Sequence, residues 1–113
     1  MKKYGVNNWD IYVRDKCVCQ YCGLNGCEFG KWRQLTIDHL LPENSGGTNE
    51  PPNLIVACNR CNQLKENFVK GANINLNNIP PRDELIKMAR DYVDQNRKKD
   101  QEIEAFTAMM REL

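Results

Sequence analysis

Two cysteine pairs constrain this chain more than any other feature: Cys19-x-x-Cys22 and Cys58-x-x-Cys61, with 35 residues between them. Each pair can place two thiolates on one tetrahedral cation, and four sulfurs suit zinc. Any fold must then bring the two pairs together across a long intervening segment. At 113 residues, 41% hydrophobic, with a mean hydropathy of -0.70, the chain has a small and polar core. A core of that size needs a staple, and structural zinc contributes on the order of 10 kcal/mol to folding. Cys17 and Cys27 are left over. Cys-x-Cys bites a metal less comfortably than Cys-x-x-Cys, so both read as small buried or free thiols, and two thiolates are too few for a second zinc. A redox role for the pairs lacks the parallel βαβ setting that such motifs require.

Other classes fall away on simple grounds. The longest apolar run, Leu54 to Cys58, is five residues, whereas a membrane-spanning helix needs about 20. Residues 1–8 carry basic groups with no apolar stretch behind them, so a cleaved secretory signal is not expected and the cytoplasm is the expected location. In that reducing setting six cysteines point to metal rather than disulfides. Charge names no partner: 16 basic against 15 acidic residues leave +1, divided as +2 up to Lys70 and -1 beyond it. If nucleic acid is bound, the positive charge must be local or supplied by a cation.

Along the chain, Asn8 to Lys16 reads as a short helix capped by Asn8, with Trp9, Tyr12 and Val13 as its packing side. Cys17 to Gly30 has no sustained period and reads as a loop held by something. Leu35 to Ile37 and Leu54 to Ala57 read as two short strands, the second apolar on both faces. Between them Pro42, Gly46, Gly47, Pro51 and Pro52 mark a long connection, of a length usually reserved for function. Asn59 to Phe68 is helix-compatible. After an Asn-rich connector a helix starts near Arg82, with Leu85, Ile86, Ala89, Tyr92 and Val93 as its apolar stripe. Asp94 to Glu102 has no apolar residue, so this helix either runs on through solvent or breaks and folds back. A second patch, Ile103, Phe106, Met109, Met110 and Leu113, suits a homodimer, a docking partner or an internal cover.

The only histidine, His39, follows Asp38 at the end of the first strand. Together with Arg14, Cys19-Gln20-Tyr21-Cys22-Gly23, Leu35-Thr36-Ile37-Asp38-His39, Pro42, Gly46-Gly47, Asn53-Leu54, Ala57-Cys58 and Cys61-Asn62-x-x-Lys65, this stretch resembles the HNH endonucleases of the zinc-containing ββα-metal (His-Me finger) type. The resemblance covers about Arg14 to Lys65, and its last motif letter is Asn62 rather than His.

The resemblance implies an α+β fold with a small ββα-metal core stapled by Cys19, Cys22, Cys58 and Cys61; with the flanking helices read from the apolar pattern, the chain is expected to divide into that domain at residues 1–79, opened by a short helix, and a long C-terminal helical extension at residues 80–113. It implies a metal-dependent endonuclease or nickase on DNA that leaves 5′-phosphate and 3′-hydroxyl ends. His39 would be the general base, since an imidazole ordinarily titrates at roughly 6.5. Asp38 and Asn62 would hold one divalent cation, Mg²⁺ or Mn²⁺, through oxygen. Asn53 would tie down the long loop and hold His39 in position. Lys65, Arg60, Arg33 and Arg14 are the candidate DNA contacts. Neighbouring strand residues point to opposite faces, so Asp38 and His39 share a site only if the strand ends near Ile37. The competing reading is a catalytically idle zinc module that binds nucleic acid or a protein.

Overall fold

The structure, a computed structural model, describes residues 9–113; the expected cap at Asn8 and the expectation for residues 1–8 lie outside that range. Helix α1 (Trp9–Arg14) leads into the cysteine-rich loop. Strands β1 (Leu35–His39) and β2 (Leu54–Cys58) follow, then α2 (Asn59–Leu64), the short α3 (Phe68–Gly71) and the 30-residue α4 (Arg82–Arg111). The two strands form one antiparallel sheet with Leu35 opposite Cys58 and His39 opposite Leu54. Because β2 runs directly into α2, the helix lies close to both strands. The result is the expected α+β arrangement, a hairpin-like sheet with a helix on it.

All five residues of β2 are buried, as two apolar faces require. Its outer edge is closed by polar groups. Gln20 donates its main-chain N–H to Val56 O at 2.9 Å, and the Asp15 carboxylate accepts from Val56 N at 2.9 Å. Such covering removes an unpaired edge that would otherwise invite another strand. It also corrects part of the expected packing side of α1. Tyr12 packs against the core as expected, but Trp9 and Val13 are exposed while Ile11 is buried, because Asp15 and Arg14 fix the helix end. Arg14 donates to Pro51 O at 2.9 Å and to Leu54 O at 2.5 Å, and grips Asp15. Arg14, expected as a DNA contact, is thereby a tie between α1 and the start of β2.

β1 does not stop at Ile37. Pairing continues to His39, and Leu40 N donates to Asn53 O at 2.8 Å just beyond it. The expected early strand end is therefore overturned, and Asp38 and His39 leave the strand on alternate faces. The helix-compatible run after Cys58 breaks at Asn67, whose φ of 64° is left-handed, so that α3 starts separately at Phe68.

Leu85, Ala89 and Val93 of α4 join the same core as Ile55, Val56 and Phe68. The helix neither breaks nor leaves the domain where its apolar stripe ends. Asn96 donates to Leu64 O at 2.9 Å and Arg60 pairs with Asp100, so the polar stretch rides along α2 on hydrogen bonds. Beyond it Ile103, Phe106, Met109, Met110 and Leu113 are exposed. Among the described residues no helix is long and apolar enough to cross a membrane.

Candidate active site and metal centre

The sulfurs of Cys19, Cys22, Cys58 and Cys61 all lie within 4.8 Å of one another, and Cys22 Sγ and Cys58 Sγ are 3.8 Å apart. A tetrahedron of thiolates at 2.3 Å from zinc has edges of about 3.8 Å, so the donor set fits that ion. The knuckles also provide the N–H groups that favour thiolates. Cys22 N donates to Cys19 Sγ at 3.4 Å and Cys61 N to Cys58 Sγ at 3.3 Å. The Cys61 thiol bonding to Cys19, with further main-chain donors, lowers the Cys19 thiol to about 4 despite its burial. Arg97 of α4 donates to Cys61 Sγ at 2.9 Å and pairs with Asp94. Sequence reasoning missed it; the one signal was the apolar-free stretch of α4 in which it lies. Cys17 is half-buried and Cys27 exposed, both outside the cluster.

A cleft of about 440 Å³ opens beside α2, lined by Asp38, Asn44, Ser45, Asn62, Lys65 and Lys70 among others. It brings Asp38 of β1 and Asn62 of α2 to one place. Adjacent helix residues differ by 100°, so Cys61 turns to the buried sulfur cluster while Asn62 faces the cleft. Asp38 is 8% exposed, and its Oδ2 accepts from Tyr21 Oη at 2.7 Å and pairs with Lys65 Nζ at 3.0 Å. Oδ1 makes no such bond among the described residues. Burial, with the Asp38 charge adding to it, holds the Tyr21 phenol well above its ordinary pKa, so it remains a donor.

Lys65, a candidate phosphate contact, is 5% exposed, and its ammonium donates to His39 O at 2.7 Å and Leu40 O at 3.0 Å besides pairing with Asp38. An ammonium has three protons, and all three are taken inside the fold. Burial lowers the Lys65 pKa, opposed by the Asp38 charge. Arg33 and Arg60 remain on the surface. The Arg33 guanidinium stands 5.3 Å over the Trp32 ring, and Arg60 bonds Asp100.

His39 is not among the residues that line this cleft. Its Nε2 is 2.7 Å from Asn49 Oδ1 and 3.5 Å from Glu43 Oε1. Donation from Nε2 to these two oxygens would leave the lone pair of Nδ1 free. The turn at Glu43–Ser45 joins the two places: Glu43 faces the ring while Asn44 and Ser45 line the cleft. Asn49 was not foreseen, being one polar residue among many in a turn-rich connection.

Asn53 closes that connection. Its Oδ1 accepts from Leu41 N at 2.9 Å, and its Nδ2 donates to Leu41 O at 2.9 Å and Thr48 O at 2.8 Å. Both ends of the loop around Asn49 are thus pinned to one amide. Gly47 passes so close to Leu41 O that a Cβ would lie 1.7 Å from it, and Gly46 has φ of 93°; only glycine accepts either condition.

A family model described as HNH endonuclease matches residues 19–68. Over 55 residues the chain is 40% identical to a CRISPR-associated endonuclease Cas9 of Corynebacterium diphtheriae, a stretch covering 48% of this chain and 5% of that protein. Over 52 residues it is 36% identical to a CRISPR-associated endonuclease Cas9 of Actinomyces naeslundii, covering 45% of this chain and 4% of that one. The chain therefore matches only a small part of each relative. No solved structure matches it significantly.

Proposed function

Starting from residues 19–68 as an HNH endonuclease domain, we propose that the chain hydrolyses DNA phosphodiester bonds, with His39 as general base and one divalent cation on Asp38 and Asn62. The observation that carries this reading is the shared cleft, which Asp38 of β1 and Asn62 of α2 both line. Two oxygen donors and open space suit Mg²⁺ or Mn²⁺, which keep waters and take substrate oxygens. When bound there, the ion supplies charge stabilisation for the phosphate and the departing 3′ oxygen.

The chain's own residues supply the rest. Tyr21 and Lys65 hold Oδ2 of Asp38, and Oδ1 is the oxygen assigned to the cation. Asp38 and His39 stand on opposite faces of β1, so the phosphate is placed across the Glu43–Ser45 turn that joins them, with Nε2 of His39 donating to Asn49 and Glu43 and Nδ1 accepting the proton of the attacking water. Asn53 fixes the loop that presents Asn49. Water attack on phosphorus with loss of the 3′ oxygen leaves a 5′-phosphate and a 3′-hydroxyl. The four-cysteine cluster is a structural zinc site distinct from this cleft, and the cytoplasm is the proposed location.

The test is relaxation of supercoiled plasmid by wild type and His39→Ala, with and without Mg²⁺ or Mn²⁺ at low salt. Wild type should cut only with metal, and His39→Ala should be slower by about 10² to 10⁴. Equal rates would overturn the base assignment. Absence of cutting by wild type under all conditions would favour the idle binding module.

A further inference from the structure

Two large aromatic side chains lie unburied in the segment between the first cysteine pair and β1. Phe29 is fully exposed and Trp32 is 63% exposed. With Arg33 they border one pocket, the guanidinium 5.3 Å from the Trp32 ring centroid. A small core that leaves two such rings in water forgoes roughly 1.5–3 kcal/mol for each. Rings and an arginine interleaved on one surface are what stacking on nucleobases requires.

Their position relative to the cleft gives the patch its meaning. Arg33 O accepts from Asn59 Nδ2 at 3.5 Å, which sets the aromatic pocket against the first turn of α2. A second groove, lined by Asn59, Arg60, Asn62 and Gln63, runs along that helix and shares Asn62 with the cleft. Asn59 and Asn62 are about 4.5 Å apart along the helix axis. Aromatic pocket, groove and cleft are therefore consecutive, with Arg33 and Arg60 beside them. The carboxylates near this path are Glu28, which pairs with Lys31, and Asp100, which pairs with Arg60; Glu66 borders the groove.

We propose that Phe29 and Trp32 stack on unpaired bases of the substrate strand a few nucleotides from the bond held at Asp38 and Asn62, so that the favoured substrate is DNA with an unpaired stretch rather than continuous duplex. This rests on the nuclease reading for the position of the scissile bond, while the stacking surface itself is readable by binding alone. Duplex bases present only edges in the grooves and have no free face for either ring. Arg33 supplies the positive charge that the chain's overall balance lacks.

The experiment uses the full chain carrying Trp9→Phe, so that Trp32 is the only tryptophan, titrated with a 12-nucleotide single-stranded oligothymidylate and with a duplex of equal length, without added Mg²⁺. The single strand should quench Trp32 fluorescence and bind more tightly than the duplex. Phe29→Ala and Trp32→Ala, followed by anisotropy of labelled strands, should each weaken single-strand binding by about 5- to 100-fold with little effect on the duplex. Abasic sites in place of the stacked nucleotides should erase the difference between Phe29→Ala and its parent. Unchanged single-strand affinity in both variants, or equal losses on single strand and duplex, would overturn the proposal. Both rings are exposed, so the unfolding midpoint should not move. Failure of wild type to cut any DNA would instead count against the nuclease reading and leave these binding measurements intact.

Discussion

The ammonium of Lys65 lies 3.0 Å from Oδ2 of Asp38 while also holding the main-chain oxygens of His39 and Leu40 at 2.7 and 3.0 Å. One buried cation thus clamps the carboxylate proposed to hold metal and the strand end that carries the proposed base. Lys65→Met keeps the volume of the stem but leaves Asp38 with Tyr21 as its remaining donor. Breaking a buried pair costs about 3–5 kcal/mol, and urea unfolding should show a loss of that order. The salt dependence of DNA binding should be unchanged. A phosphate contact would behave oppositely, with little stability lost and a binding slope reduced by about one.

Asn49 is expected to set the tautomer of His39 through its 2.7 Å contact with Nε2. Asn49→Leu should lower the cleavage rate by roughly tenfold or more, within the range assigned to general-base catalysis, with unchanged thermal unfolding. Asn49→Asp retains an acceptor and should restore much of the rate. Its added negative charge favours the imidazolium, so the acid limb of the pH–rate profile should move to higher pH. A purely structural Asn49 would give no such displacement.

The three side-chain hydrogen bonds of Asn53 hold Leu41 and Thr48 together across the loop. At about 0.5–1.5 kcal/mol each, Asn53→Ala should cost roughly 2–4 kcal/mol and speed amide exchange at Leu41. Cleavage should fall with it, because the loop also carries Asn49. Unchanged exchange at Leu41 would show that the loop is held by other means.

For the sulfur cluster, one zinc per chain is expected by elemental analysis. Cys58→Ser should lose both the ion and cooperative unfolding, whereas Cys17→Ser and Cys27→Ser should keep them, since neither sulfur belongs to the cluster. A folded, zinc-replete Cys58→Ser chain would mean a different ligand set.

Sequence alone determined the parts whose chemistry is local. The two-residue spacing of Cys19 with Cys22 and of Cys58 with Cys61 fixes how each pair can bite a metal, whatever surrounds it. The apolar run from Leu54 to Cys58 forces a strand buried on both faces, and Leu85, Ala89 and Val93 recur at helical spacing. Glycine at 46 and 47, beside an asparagine at 53, marked a constrained loop. Even the adjacency of Asp38 and His39 was visible, together with the rule that separates their side chains.

Tertiary structure decided what the polar residues do. A lysine four residues after Cys61 reads equally well as a phosphate contact or a solvated cation; only the approach of α2 to β1 put Asp38 and two carbonyls within its reach. Tyr21 acts on Asp38 from 17 residues away, and Arg97 on Cys61 from 36. Asp15 anchors Val56 across 41, which turned α1 partly away from the face its apolar residues suggested. Apolar patterning is legible because burial follows the period of the local backbone. The role of a charge or amide depends on which distant partner replaces its water, and that pairing exists only once the chain has closed.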